Sequence, residues 1–280
     1  MANEQMRDYW ASIGAEGWVR HKHIFDSELA PFAAAVLENV RPGPRDRLLD
    51  IGCGTGTLLH LAAESGASGQ GVDISPAMIE AATSLVPSAT FVVADAQTDP
   101  LGGPFSAMIS RFGVMFFEDP VAAFANIRRA VEADGRLAFV CWRGLDENPM
   151  FSLGTSVLLD RIDPRPPGPV DGAPGPLGFA DPDRIRSVLT GSGWADVSVE
   201  PFDAMCDYGR DGTDGVENRL TMILGTSAGS MASANVRPQI GEEAWAALLD
   251  DVRAELRANL VDGRVQFNGA TWLVTARNPG

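Results

Sequence analysis

A glycine-rich loop between a short apolar strand and an apolar helical run is the feature that most constrains this chain. In the segment RLLDIGCGTGT (47–57), glycines stand at every second position, Gly52, Gly54 and Gly56. Glycine lets the backbone turn from strand into helix and lets a ligand approach the main chain, because no side chain intervenes. The segment therefore predicts a β-α unit whose loop lies against a ligand.

Short strands and helices alternate from this loop to residue 142. The pattern predicts strands at 47–51, 69–74, 90–94, 105–110 and 136–142, and helices at 57–65, 76–86 and 120–133. Repeated β-α units of this kind indicate a parallel sheet covered by helices on both faces.

The segments outside this alternation predict the remaining organisation. Residues 1–44, with an apolar helical run at 24–40, form an N-terminal helical cap on a core at 45–143. The proline- and glycine-rich segment 144–180 is too long for a simple connection and predicts a lid loop. Residues 181–280 complete the core, with helix 182–190, a strand around Val197, a last strand at 265–277 and a helical insertion at 206–262 that contains helices near 216–224 and at 242–261.

Composition narrows the possible partners. The 280 residues carry a formal net charge of -15 without a basic run, which argues against a nucleic-acid substrate. Neither a signal peptide nor an apolar run of 18 residues is evident, so membrane insertion is not expected. The three cysteines lack metal-ligand spacing, and we expect no metal, a cytoplasmic location and a monomer or homodimer.

Acidic residues mark the strand ends next to the loop. Asp50 directly precedes the glycines, and Asp73 and Asp95 close the next two strands. A dinucleotide fingerprint, GxGxxG, would need its third glycine where Thr57 stands, and Asp50 would face a pyrophosphate unfavourably. A cationic, hydroxylated nucleoside suits these carboxylates better than a nicotinamide dinucleotide.

The motifs together resemble those of the class I methyltransferases that use S-adenosylmethionine (SAM), especially the small-molecule branch that includes the ubiquinone/menaquinone-type enzymes. The resemblance rests on DIGCGTG (50–56), GVDIS (71–75), VVADA (92–96) and SRFGVMFF (110–117), in the family's order, and covers mainly residues 47–142. It implies a Rossmann-like, doubly wound, seven-stranded α/β sheet whose last strand is antiparallel.

The resemblance also implies how this chain would bind SAM and release S-adenosylhomocysteine. The loop and Asp50 would meet the methionine part, Asp73 the ribose, and Asp95-Ala96 the adenine edge. The residues expected to contact the cofactor are Asp50, Gly52, Cys53, Gly54, Gly56, Asp73, Ile74, Met78, Asp95, Ala96, Ser110 and Trp18. Core packing is an equal interpretation of Ile74 and Met78, and Trp18 could simply anchor the cap.

Acceptor contacts are expected on the loop after the fourth strand, from Phe112, Met115 and Phe116, whose rings and thioether suit a hydrophobic or aromatic small molecule. His21 is a candidate base if the acceptor must lose a proton, although a surface or capping role is the simpler interpretation. Arg111 could bind an anionic acceptor group or hold a neighbouring carboxylate such as Glu118.

The sequence thus predicts a SAM-dependent methyltransferase that acts on a small organic acceptor, plausibly in specialised metabolism. Two alternatives remain open at this point. One is a SAM-binding protein without methyl transfer, and the other is a nicotinamide-dependent oxidoreductase.

Overall fold

A computed structural model describes residues 3–11 and 13–280, and its centre is one seven-stranded sheet. The strand order is β3-β2-β1-β4-β5-β7-β6. The strands are β1 (Arg47–Ile51), β2 (Ser68–Asp73), β3 (Thr90–Val93), β4 (Phe105–Arg111), β5 (Val131–Trp142), β6 (Ala195–Asp207) and β7 (Gln266–Arg277). β1 to β5 pair in parallel, whereas β7 is antiparallel to both β5 and β6. The predicted mixed sheet with an antiparallel last strand is confirmed.

Helices precede, connect and extend this sheet. They are α1 (Glu4–Trp10), α2 (Ile13–Arg20), α3 (Lys22–Glu28), α4 (Ala30–Val40), α5 (Thr57–Ala63), α6 (Pro76–Leu85), α7 (Pro120–Ala130), α8 (Thr155–Leu159), α9 (Pro182–Gly191), α10 (Val216–Gly225), α11 (Ser227–Asn235) and α12 (Arg237–Ala258). Short 3-10 turns lie at Val114–Phe116, Leu145–Glu147 and Pro149–Phe151. Within the described residues, no helix combines the length and apolar character needed to cross a bilayer.

Local sequence signals explain where several helices begin. The Ser75 hydroxyl accepts a hydrogen bond from the Met78 amide at the start of α6, and Asp119 and Asp181 cap α7 and α9 in the same way. Proline follows each of these caps, where its fixed φ suits the first helical turn and its missing N–H costs nothing.

Three helix predictions were wrong in detail. The predicted helix 24–40 is two helices that break at Leu29, because Pro31 has no N–H to donate and would clash with the preceding turn of a continuous helix. α11 was not predicted, and α8 lies inside the segment expected to be a loop. The predicted helix 242–261 begins at Arg237 and ends at Ala258, with a non-helical Gly241 (φ 79°) near its start.

The strand order places a topological switch point between β1 and β4. From β1 the chain continues to β2 on one side of β1, whereas β4 lies on the other side. A crevice therefore opens beyond the carboxyl ends of β1 and β4. Asp50 pairs with Ile109 in the register between β1 and β4. The glycine loop and the loop that begins at Arg111 therefore emerge side by side.

The N-terminal helices pack over this edge and join the core. α4 lies on β4 and β5, and its Phe32 and Val36 are fully buried. The Phe32 ring meets Phe112 and Trp142 edge-on, with ring centroids 5.4 and 5.6 Å apart. Aromatic packing thus connects the cap with the loops at the carboxyl ends of the strands.

Candidate active site

A cavity of about 650 Å³ opens at the carboxyl ends of β1, β2 and β4. It extends from the glycine loop to the helices α10 and α11, with α1 to α3 and the segment 144–180 forming its other walls. Apolar side chains dominate the lining, among them Trp10, Trp18, Phe25, Phe112, Phe116, Trp142, Phe151 and Met222. A concave apolar site with a few polar groups is the usual form of a small-molecule site.

The glycine loop is held tightly against the loop after β4. Gly52 has φ 64°, and a Cβ atom there would lie 2.6 Å from the Gly113 Cα. The Ser110 hydroxyl donates to the Ile51 carbonyl at 2.7 Å and accepts from the Gly113 amide at 3.2 Å. Ser110 is fully buried and ties the two loops together. Only glycine fits at position 52, because a side chain would strike the opposite backbone.

Asp73 fixes the other side of the glycine loop. Its carboxylate accepts from the Gly54 amide and from the Ser75 amide, both at 2.9 Å. Asp73, Ile74 and Met78 all line the cavity beside Gly54. Burial raises the pKa of the Asp73 carboxyl, and the backbone donors act in the opposite direction. Each carboxylate oxygen can still accept a further hydrogen bond from a ligand.

A narrow recess of about 30 Å³ adjoins the loop and contains unpaired polar atoms. Both carboxylate oxygens of Asp50, the Thr55 hydroxyl and Nη1 of Arg111 are buried without a hydrogen-bond partner in the described structure. Asp50 is 1% exposed. A buried polar atom without a partner destabilises the folded chain by ~1–3 kcal/mol, and an unpaired buried charge does so by more. These atoms therefore indicate a place for a polar ligand.

Two ionisable side chains of opposite charge, Asp50 and Arg111, line the recess. Burial raises the pKa of the Asp50 carboxyl well above its usual range, and the nearby Arg111 guanidinium partly opposes this shift. Arg111 Nη2 approaches Asp26 Oδ1 at 3.4 Å, and the same oxygen accepts from the Thr57 hydroxyl at 2.7 Å. An ammonium group beside Asp50 and a carboxylate beside Arg111 would satisfy the unpaired Asp50 oxygens and the unpaired Nη1 of Arg111.

The N-terminal residues close the cavity near Asp95. The Asn3 side-chain amide donates to both oxygens of Asp95, at 2.8 and 3.1 Å. Asn3 also exchanges two hydrogen bonds with Glu118, one through each backbone amide, at 2.9 and 2.8 Å. Asp95 is therefore covered by α1 in this conformation. Ala96 lines the cavity beside it.

A second buried polar group lies on the wall formed by α3. Glu28 lines the cavity, is 1% exposed, and accepts a short hydrogen bond from the Tyr208 hydroxyl on Oε1. Arg219 donates from Nη1 to the Tyr208 oxygen at 3.3 Å. Glu28 Oε2 has no hydrogen-bond partner within the described residues. Burial raises the pKa of Glu28 to about 7, against the hydrogen bond from Tyr208 and the charges of Arg219 and Arg111.

Part of the chain is similar to known proteins. Residues 49–139 match the methyltransferase domain family. Aklanonic acid methyltransferase from Streptomyces sp. (strain C5) is 33% identical over 140 residues, which cover 46% of this chain and 60% of that protein. Demethylmenaquinone methyltransferase from Renibacterium salmoninarum is 26% identical over 171 residues, covering 58% of this chain and 72% of that protein.

The fold agrees with that match. The crystal structure of the YcgJ protein from Bacillus subtilis aligns with a TM-score of 0.57 at 16% sequence identity, covering 90% of this chain and 99% of that one. Residues 49–139 are thus similar to a methyltransferase domain, and the sheet has the fold of the aligned structure. The matched region spans 60% of the length of the first relative, and it contains the glycine loop and the ends of β1 to β4.

Most residues that the family resemblance singled out lie around the cavity or its recess. The cavity is lined by Trp18, Gly52, Gly54, Asp73, Ile74, Met78, Asp95, Ala96, Arg111, Phe112, Met115 and Phe116. Asp50 and Cys53 line the recess, together with Gly52, Gly54 and Arg111. Burial holds the pKa of the Cys53 thiol well above its usual range, so this cysteine is a neutral wall residue. The ligand contacts of all these residues remain predictions.

Three predicted site residues lie elsewhere. Gly56 does not line the cavity; it has φ 83°, and a Cβ atom there would lie 2.8 Å from the Phe91 ring, so it allows α5 to pack on the sheet. Ser110 bonds only to backbone, as described above. His21 is the N-cap residue of α3, makes no side-chain capping hydrogen bond and does not line the cavity, although it lies near Gly225, which does.

Arg111 pairs with a carboxylate that the sequence reasoning did not consider. The carboxylates considered were Glu118 and Asp119, but Glu118 bonds to Asn3, Asp119 caps α7, and the guanidinium meets Asp26 of α3. An anionic acceptor group as a second partner of Arg111 stays a prediction. Glu28 was also missed. Its signal was present in the sequence, since Glu28 interrupts the apolar face formed by Phe25, Leu29 and Phe32 at helical spacing.

Proposed function

We propose that this protein is an enzyme that transfers the methyl group of SAM to a small hydrophobic or aromatic acceptor. The observation that carries the proposal is the recess beside the glycine loop, where both oxygens of the buried Asp50 carboxylate and Nη1 of the buried Arg111 guanidinium lack a hydrogen-bond partner within the described residues. A free amino acid carries one ammonium and one carboxylate, and the methionine part of SAM therefore matches both groups. A nicotinamide dinucleotide has a pyrophosphate for this position, which Asp50 would repel.

The chain's own residues would hold SAM as follows. Asp50 accepts from the ammonium group and Arg111 donates to the carboxylate, while Gly52 and Gly54 allow close approach to their backbone. Asp73 accepts from the ribose hydroxyls, with its orientation fixed by two backbone amides. When bound, SAM supplies a methyl group on a positively charged sulfur, which is an electrophile.

Adenine would lie further along the cavity, between Ile74 and Met78 on one side and the Asp95-Ala96 turn on the other. Asp95 accepts from the Asn3 side chain, so an adenine amino group would share or replace that donor. Contacts of Asn3 and Trp10 with the loop after β4 would then cover the bound nucleoside and exclude water from it.

The acceptor would occupy the aromatic end of the cavity. Phe112, Met115 and Phe116 lie on the loop after β4, and prolines of the segment 144–180 also line the cavity. Two relatives are named for aklanonic acid and demethylmenaquinone rather than for a protein or nucleic acid, which supports a small organic acceptor and a role in specialised metabolism. Methyl transfer is a displacement at the sulfonium carbon, and holding the two reactants together in a site without water accounts for much of its acceleration.

Isothermal titration separates the cofactor classes. We expect SAM and S-adenosylhomocysteine to bind with micromolar or lower Kd and NAD to show no binding. Asp73→Asn should weaken S-adenosylhomocysteine, while Asp183→Asn, at an exposed position on α9, should not. Binding of NAD without SAM would contradict the proposal.

Transfer itself is tested with methyl-labelled SAM and a panel of hydroxylated, aminated and carbon-nucleophile aromatic acceptors. Label in a small molecule supports the enzyme. Tight SAM binding with label in none of the acceptors would favour a SAM-binding protein that does not transfer methyl groups.

We also propose a cytoplasmic location and a monomer or homodimer. The three cysteines are free and buried, which suits a reducing compartment. Size-exclusion chromatography with light scattering measures the oligomeric state, and cell fractionation measures the location.

A further inference from the structure

Glu28 stands out among the buried groups that SAM binding does not use. It lies on the cavity-facing side of α3, three residues after Phe25 and next to Leu29, both of which also line the cavity. Phe25 stacks on Trp18 with ring centroids 3.8 Å apart, and Trp18 Nε1 lies 4.0 Å from the Cβ position of Gly54. A rise of about 4.5 Å along α3 separates Glu28 from Phe25, and Trp18 lies between Phe25 and the glycine loop.

Hydrogen bonds define which oxygen of Glu28 is available. Both Nη atoms of Arg219 are engaged, Nη2 by the Met150 and Leu153 carbonyls and Nη1 by the Tyr208 oxygen. Because the Tyr208 oxygen accepts from Arg219, its own O–H is directed to Glu28 Oε1. Oε2 is then left without a donor in an apolar cavity.

We propose that Glu28 is the acceptor-binding base of this site, and that the acceptor presents a phenol or enol hydroxyl to its free oxygen. This rests on the proposed function. The hydroxyl proton passes to Glu28 Oε2 as the acceptor oxygen forms a bond to the methyl carbon. The carbon–sulfur bond breaks with its electron pair going to sulfur, which becomes a neutral thioether, and the proton leaves Glu28 for solvent afterwards.

Alternative acceptor groups fit Glu28 less well. A carboxylic acid arrives ionised at neutral pH, needs no base and is repelled by an ionised Glu28. A phenol or enol keeps its proton at that pH and gains from an acceptor. The groups that face Glu28 are Tyr208, Arg219, Arg111 and Cys206. The charges of the two arginines favour the ionised carboxylate of Glu28, and burial favours its protonated form. Glu28 can therefore gain or lose its proton near neutral pH.

Binding of a matched ligand pair tests the assignment without a known acceptor. The full chain, saturated with S-adenosylhomocysteine, is titrated calorimetrically with 2-naphthol and with 2-methoxynaphthalene, which lacks the hydroxyl proton. We expect 2-naphthol to bind at least about tenfold more tightly, because only it can donate to Glu28. The preference should increase as pH rises through about 7, the pKa of Glu28.

Substitutions test whether the preference for 2-naphthol arises from Glu28. In Glu28→Gln the Tyr208 hydroxyl still has an oxygen to donate to, so the amide nitrogen faces the cavity and serves a hydroxyl and an ether oxygen alike. The preference should fall to about one, whereas Glu38→Gln, at an exposed position on α4, should retain it. Should Glu28→Gln not fold, Tyr208→Phe is the second variant. Loss of its hydrogen bond raises the pKa of Glu28, so the preference should develop at higher pH.

Equal binding of the two naphthalenes, no binding of either, or a preference unchanged in Glu28→Gln would overturn the assignment. An unshifted pH dependence in Tyr208→Phe would do the same. S-adenosylhomocysteine is titrated first: if it does not bind, the proposed function fails and the assignment with it. If it binds and the naphthol preference is missing, only the role of Glu28 is refuted.

Discussion

Replacing Glu28 by glutamine should change how the stability of the protein depends on pH. In the folded chain this carboxyl is buried and its pKa is raised from the ordinary value of 4.5 to about 7. Folded molecules therefore hold the proton in a pH range in which unfolded molecules release it. The free energy of unfolding contains a contribution that is complete below pH 4.5 and is lost as pH rises through about 7. Glutamine has no such contribution.

The magnitude follows from the two pKa values. Between about pH 5 and about pH 8, the linkage relation gives a loss of roughly 2–3 kcal/mol from the Glu28 carboxyl. Since the side chain is 1% exposed, solvent screening does not reduce this figure substantially. Glu28→Gln should therefore gain roughly 2–3 kcal/mol in unfolding free energy relative to wild type over this interval. Any constant offset from lost packing cancels in the difference.

Urea unfolding at several pH values, followed by circular dichroism, measures this difference. Glu38→Gln on α4 is the control, because its carboxylate is exposed and should give a difference that does not vary with pH. A flat difference for Glu28→Gln would refute the reasoning, since it would mean that Glu28 ionises equally in folded and unfolded chains.

Four further predictions concern the loop. In wild type, S-adenosylhomocysteine binding should release a proton from Asp50, because burial raises the pKa of this carboxyl well above its usual range and an ammonium partner would ionise it. Asp50→Asn should abolish this release, which calorimetry in buffers of different ionisation enthalpy measures. Equal proton release in both proteins would contradict the prediction. Asp73→Asn should weaken S-adenosylhomocysteine at least about tenfold by calorimetry, and an unchanged Kd would exclude the ribose role. Ser110→Ala should lower the unfolding free energy by about 1–3 kcal/mol in urea, because the Gly113 amide loses its partner; unchanged stability would contradict the tie between the loops. Gly56→Ala should also destabilise the protein in urea, by more than about 1 kcal/mol, because of its φ of 83° and the nearby Phe91 ring; a neutral result would mean that the loop relaxes freely.

The sheet could be predicted because its signals are local. Glycine after β1, Ser75-Pro76 before α6 and Asp119-Pro120 before α7 each specify a turn or a helix start without reference to the rest of the chain. Alternation of such units then fixes a parallel sheet, and the sheet fixes where its ligand lies. These local rules predicted the parallel β-α units, whereas the seven-stranded sheet with its antiparallel last strand and the residues expected around the glycine loop came from the family resemblance.

The contacts that close the cavity could not be predicted in the same way, because they join distant segments. Glu28 meets Tyr208 across 180 positions, and Asn3 meets Asp95 across 92. No local pattern reveals such pairs. The residue type and the ring-rich segment made His21 a candidate base, and the structure shows that it does not line the cavity. The sequence also offers an acidic residue, Glu28, on the apolar face of α3, and the role of this residue is a proposal.

The central claim is that the recess formed by Asp50 and Arg111 binds the amino-acid part of SAM. Comparing S-adenosylhomocysteine with 5′-methylthioadenosine, which keeps the nucleoside but lacks the amino acid, tests it most directly by calorimetry. We predict that S-adenosylhomocysteine binds roughly a hundredfold more tightly, from two charge-assisted hydrogen bonds, and that Asp50→Asn removes most of this difference. Equal affinity of wild type for the two compounds would contradict the account.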